Sequence, residues 1–207
     1  MSQETASNPY AASNPDSSAS KVSSRFSAKQ IAVVFAACLL TVCLRLADTP
    51  MANLGTMVAL ALFCGSVFKH PLAVLLPLAI RVATDCLIHW KTGYGFFASW
   101  PFDYAVYGLI FFLGTVIPPK KYAAVCFGGL ASVVTYFLVS NFGVWYVWPD
   151  SYPRTAAGLV NCFTLALPFA RGTIVGNLIA VPVFFAAWNA ATAAVSQPAM
   201  NLAPADD

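Results

Sequence analysis

Residues 122–149 read YAAVCFGGLASVVTYFLVSNFGVWYVWP, without a charged residue between the pair Lys120 and Lys121 and the next acid, Asp150. About 20 predominantly apolar residues cross the hydrocarbon core of a bilayer, so this stretch is long enough to span one. Residues 172–205 are equally free of charge. Working outward, the apolar runs predict six helices, at 29–46, 51–68, 71–90, 101–117, 122–147 and 170–195. Their breaks fall at Pro50, Pro71, Pro101, the pair Pro118 and Pro119, and Pro149, where proline punctuation is expected. The fold class is therefore all-α, a polytopic transmembrane helix bundle of about six helices. A further apolar stretch, 155–169, ends at Pro168 and carries Gly158 and Asn161. It reads as a re-entrant or interfacial segment before the last span, since a full extra crossing leaves no turn before Ala170.

Composition agrees. Of 207 residues, 59% are hydrophobic and 9% charged, where a soluble domain carries about 25% charge. A net charge of +3, scattered along the chain, gives nucleic acid nothing to bind. Residues 1–28 are rich in Ser, Ala and Asn without hydrophobic periodicity and read as a disordered polar tail. Residues 29–195 form the membrane domain, and 196–207 a short polar C-terminal tail. Lys21, Arg25 and Lys29 ahead of an apolar run also fit a signal peptide with a small residue at Ala47. The long leader and the interruption at Arg45 favour an uncleaved first helix. Six cysteines lie singly in apolar segments, without metal-ligand spacing, and read as small packing residues.

Orientation follows from the basic residues of the short loops. With the N-terminus inside, Lys21, Arg25, Lys29, Lys69, Lys120 and Lys121 collect on the cytoplasmic side, against Arg45, Lys91 and Arg154 outside. Six spans then place both termini in the cytoplasm. Trp90, Trp100, Trp145 and Trp148 gather at the outer interface, and only Trp188 lies in the inner half.

Ionisable groups inside an apolar body need a specific reason to be there. Arg81 and Asp85 stand four apart on the third helix and share a face. Two readings are open: an ion pair that pins packing, and a pair that lines a cavity. Six charges carry the argument, Arg81, Asp85, Asp103, Arg154, Arg171 and, more weakly, Asp48, and topology brings Asp85, Asp103, Arg154 and Arg171 toward the outer third of the bilayer or just above it. Asn141 and Asn177 add amides, and Asn161 a third. Mixed charge, amides and the rings of Trp100 and Trp145 suit a polar small-molecule site; they suit a polar helix clasp equally. The expectation is one outward-open pocket shared by Asp85, Asp103, Arg171 and Asn141, roofed by the two tryptophans and the Tyr152–Arg154 loop. Glycines at 143, 158, 172 and 176 read as close-packing positions. His70 and His89 stand roughly 30 Å apart by helix rise, and no phosphate loop or nucleophile elbow is present. Neither a cofactor, a metal nor an enzymatic reaction is expected, and energised transport calls for a partner.

The runs Asn141-Phe142-Gly143-Val144-Trp145, Tyr152-Pro153-Arg154-Thr155-Ala156-Ala157-Gly158-Leu159 and Ala166-Leu167-Pro168-Phe169, with Thr173 and Gly176, resemble DUF6580, a family of small bacterial membrane proteins of unknown function. The resemblance covers most of residues 50–190. In size and six-helix layout that family is similar to the substrate-binding S components of energy-coupling-factor transporters. The similarity implies a small polar solute taken from outside in the inner membrane. It also implies docking on a transmembrane, ATPase-linked partner through small residues of the first helix, where Ala32 and Ala36 stand.

Overall fold

The computed structural model describes residues 26–47 and 54–196. The expected N-terminal tail up to residue 25, Asp48, and the C-terminal tail from residue 197 lie outside the described residues. The chain forms α1 (Ala28–Leu46), α2 (Met57–Phe68), a 3-10 turn (Pro71–Val74) running into α3 (Leu75–Thr92), α4 (Trp100–Thr115), α5 (Tyr122–Val147) and α6 (Ala156–Ser196). No strand occurs among the described residues. The all-helical bundle is the expected one. Four helical stretches, Ala28–Leu46, Pro71–Thr92, Tyr122–Val147 and Ala156–Ala194, are long and apolar enough to cross a membrane.

The first helix begins earlier than composition suggests. Ser27 and Gln30 form a reciprocal capping box, with Ser27 N–H donating to Gln30 Oε1 at 2.8 Å and Gln30 N–H to Ser27 Oγ at 3.3 Å. Phe26 packs edge-on against Phe68 and Trp188, at centroid distances of 5.4 and 5.7 Å. Residues 26–28 therefore belong to the bundle and not to the tail. The signal was legible as Ser-x-x-Gln before an apolar run.

The second helix departs most from expectation. Residues 51–53 of the expected helix lie outside the described residues; α2 itself starts at Met57, and its 12 residues rise only about 18 Å, well short of a bilayer core of about 30 Å. Ten of those residues, Met57 to Ser66, are buried, so α2 is a central half-length helix walled by the others. Residues 54–56 ahead of it are non-helical. Irregular backbone at membrane depth is tolerated where protein or a cavity surrounds it, and both do here.

Glycines set how closely α4 crosses α2. A Cβ on Gly65 would lie 1.9 Å from the Phe111 carbonyl oxygen, and one on Gly114 2.3 Å from that of Leu62. Backbone oxygens in packed helices have nowhere to go, so Gly114→Ala should force the two helices apart. The expected loss is about 1–3 kcal/mol, the range for overpacked cores, read by reversible unfolding in mixed micelles. An unchanged midpoint would contradict the contact.

The segment 155–169 enters the bundle as the first part of α6, not as a separate piece. Helix α6 runs unbroken for 41 residues through Pro168 and Pro182, about 60 Å by rise. Neighbouring helices make internal prolines tolerable in such spans. It runs antiparallel to α5: Cys162 Sγ meets the Asn141 carbonyl at 3.6 Å, Val181 packs on Gly129, and Asn189 donates to the carbonyl of Pro119, just before α5, at 2.9 Å. The bundle thus has a lysine end, with Lys29, Lys69, Lys120 and Lys121, and a tryptophan end, with Trp90, Trp100, Trp145 and Trp148. Near the lysine end Phe63 is ringed by Phe184, Phe185 and Trp188.

Candidate functional site

Toward the tryptophan end, α1, α3 and α4 bring four charges together. Asp85 is 1% exposed and Arg81 8%. Arg81 Nε donates to Asp85 Oδ2 at 2.8 Å, the Tyr104 hydroxyl donates to the same oxygen at 2.9 Å, and Arg45 pairs with Oδ1. Arg81 also approaches Asp103 at 3.9 Å. Its Nη1 donates to the Tyr107 hydroxyl at 3.3 Å, with the guanidinium 5.4 Å from that ring's centroid. Arg45 Nε donates to Thr84 Oγ1 at 2.8 Å. Two guanidiniums and two carboxylates balance. Arg81 and Asp85 face protein, as an intramembrane ion pair must, but they are half of a larger cluster.

Beside the cluster lies a cavity of about 790 Å³, within the 300–1,000 Å³ typical of small-molecule sites. The C-terminal end of α1, the start of α2, Ile88 of α3, and α4, α5 and α6 contribute wall. Its polar lining comes from Arg45, Tyr107, Tyr136, Ser140, Asn141, Thr173 and Asn177, and Tyr152 closes the tryptophan end. The rings of Tyr107 and Tyr136 stack at 5.4 Å. Ser140 and Asn141 donate back to their own helix, to Tyr136 and Phe137 carbonyls at 2.7 and 2.8 Å.

At the floor, Asn177 is 1% exposed and clasps the broken second helix. Its Oδ1 accepts from Ala59 N–H at 2.8 Å, while Nδ2 donates to Gly55 O at 3.0 Å and Thr173 O at 2.7 Å. Gly176 permits the approach, because a Cβ there would sit 2.7 Å from the Gly55 oxygen. Thr41 and Thr56 hydroxyls meet at 2.8 Å and tie the same junction to α1.

Of the four residues expected to share one pocket, Asn141 alone lines this cavity; Asn177, expected as a further amide of the site, lines it too. Asp85 and Asp103 do not: they stand behind its wall, turned toward the guanidiniums, where a carboxylate is lower in energy than against an apolar void. Trp100 packs edge-on against Tyr104 at 5.5 Å and is 48% exposed. Trp145 Nε1 donates to the Pro153 carbonyl at 3.0 Å; Arg154 donates to the Tyr146 carbonyl at 2.9 Å and lies 4.8 Å over its ring. Those two staple the α5–α6 loop. Ala32 and Ala36 sit on the exposed face of α1.

Arg171 is the sharpest departure. A helix turns about 100° per residue, so a cavity face at Ala166, Ala170, Thr173 and Asn177 leaves Arg171 on the opposite side, where it is exposed. The α5 pairings above and below put it level with the middle of that helix, not near the tryptophan end. Asn161 and Thr164 are exposed on α6 as well. A charge against lipid at mid-depth costs about 2.5–3.5 kcal/mol on insertion scales. Arg171→Leu should therefore raise the stability of the isolated protein in bicelles by about 2–3 kcal/mol. A loss instead would mean that the guanidinium is held by protein.

Sequence reading missed Arg45 as a cluster member and Tyr104, Tyr107 and Tyr136 altogether. Arg45 interrupts the end of an apolar run, which was the available signal. The tyrosines fall among many aromatics and carried none.

A family model matches residues 26–200, and its description is a family of unknown function, DUF6580. The chain belongs to that family. No curated protein and no solved structure matches it.

Proposed function

We propose that this DUF6580 protein is a multi-pass protein of the bacterial inner membrane that binds a small polar solute, as the binding component of a transport system. The observation that carries the reading is the cavity of about 790 Å³ with polar groups from four helices set among apolar wall residues. An apolar wall with a few oriented polar groups is what fixes a small molecule. The cavity reaches Arg45, Ala47 and Tyr152 at the tryptophan end, which the basic residues of the opposite end assign to the outside. The exposed Ala32 and Ala36 on α1 leave a small-residue face for a membrane partner. None of the polar groups forms a nucleophile–base pair, so binding and not catalysis is the role proposed.

Native mass spectrometry of the full chain, released from the membrane in mild detergent, tests this. A bound small molecule is expected, and Asn141→Leu, which fills the polar wall, should reduce its occupancy. Persistent absence of any bound species would favour the second reading, a non-transporting accessory membrane protein. The self-neutralised charge cluster supports that alternative, since it satisfies its own groups without a ligand. The topology has its own check: reporter fusions at Lys120 and Asp207 should both report cytoplasm. A periplasmic signal at either overturns the orientation.

A further inference from the structure

Arg45 is the sole charged residue among the described residues lining the cavity. Its carboxylate partner Asp85 is buried to 1% exposure and does not reach the cavity wall. Guanidinium offers five N–H donors. Among the described residues two of its nitrogens are engaged, Nε with Thr84 Oγ1 and Nη2 with Asp85 Oδ1, and Nη1 has no hydrogen-bond partner. The Arg45 side chain keeps 21% of its surface exposed. Thr84 in turn donates to backbone carbonyls of Ile80 and Arg81, at 2.8 and 2.9 Å, so the guanidinium is anchored from behind. A pre-oriented arginine edge of this kind matches the planar pair of oxygens in a carboxylate.

The rest of the wall divides into two parts. Val133, Phe137, Val144, Leu165 and Phe169 are apolar, while hydroxyls and amides from Tyr107, Tyr136, Ser140, Asn141 and Thr173 are scattered among them. Among the described residues no carboxylate lines the cavity, so there a cationic ligand finds no counter-charge and meets a guanidinium instead.

We infer that the cavity selects small organic anions, with a carboxylate seated on the free edge of Arg45 and an apolar body against α5 and α6. This deepens the solute-binding reading and rests on it. Binding does not require Arg45 to leave Asp85, because the unused donors serve the ligand.

The test uses the full chain in nanodiscs and three probes of nearly equal shape: benzoate, benzamide and benzylammonium. Affinity is read by equilibrium dialysis. Benzoate is expected to bind at least roughly tenfold more tightly than benzamide, as a charge-assisted pair exceeds a neutral one, and benzylammonium more weakly still. In Arg45→Gln the preference of benzoate over benzamide should vanish while benzamide binding persists; Arg45→Lys should keep part of it. Should Arg45→Gln fail to fold, the wild-type series decides alone. Equal binding of benzoate and benzamide overturns the anion inference and leaves the solute cavity standing. Tightest binding by benzylammonium overturns it too. If none of the three binds, the inference falls, and the solute reading then depends on the bound species sought by mass spectrometry.

Discussion

Asp85→Leu is expected to lower stability by about 3–5 kcal/mol, the cost of breaking a buried ion pair by removing one partner. The loss should sit at the upper end, because this carboxylate serves Arg45, Arg81 and the Tyr104 hydroxyl together. Its removal strands two guanidiniums with Asp103 as the remaining acid, 3.9 Å from Arg81. Replacing Arg81 and Asp85 together, neutral for an isolated pair, should still hurt here, since Arg45 then loses the carboxylate it pairs with. Only a quadruple variant, with Arg45, Arg81, Asp85 and Asp103 all exchanged for apolar residues of similar volume, should recover wild-type stability or exceed it. Reversible unfolding in mixed micelles measures all three. A full recovery by the double variant would show that Arg45 is held by water and not by the cluster.

Asn177→Leu should be nearly as severe, at about 2–5 kcal/mol, for a different reason. The leucine fills the space, yet leaves Ala59 N–H and Gly55 O without their partners. Each unsatisfied buried backbone group costs about 1–3 kcal/mol. Asn177→Asp separates the two contacts, because it keeps the acceptor for Ala59 N–H and loses the donor for Gly55 O. Hydrogen exchange at the first turn of α2 should rise sharply in the leucine variant and less in the aspartate one. Unchanged protection at Ala59 in both would mean that water or another group satisfies the helix start.

The two amides were picked out for ligand binding from their place in apolar helices. Their bonds now divide the roles. Asn177 has its oxygen and nitrogen engaged by the start of α2 and by its own helix and acts chiefly as a clasp, whereas Asn141 lines the cavity and donates to its own helix. Asp85 and Asp103 were read as pocket acids because topology placed them near one surface. Depth is legible from sequence; direction around a helix axis is not, when every neighbour is also apolar.

What the sequence determined by itself is the class of the molecule, the number of helices and most of their bounds. The bilayer imposes a strong local rule, long apolar runs with satisfied backbone, and runs such as 122–149 obey it without reference to any other part of the chain. Pairing of Arg81 with Asp85 was likewise local, four residues on one helix face. The tertiary structure alone decided the rest. Helix α2 is cut short because Asn177, from α6, replaces the hydrogen bonds that a longer helix would have made. Arg45 joins the cluster across 40 residues of chain, and Arg171 turns outward because α6 is continuous and its rotation is set by packing on α5. Those outcomes depend on which helices touch and at what rotation, and the sum of many weak contacts between distant segments settles both.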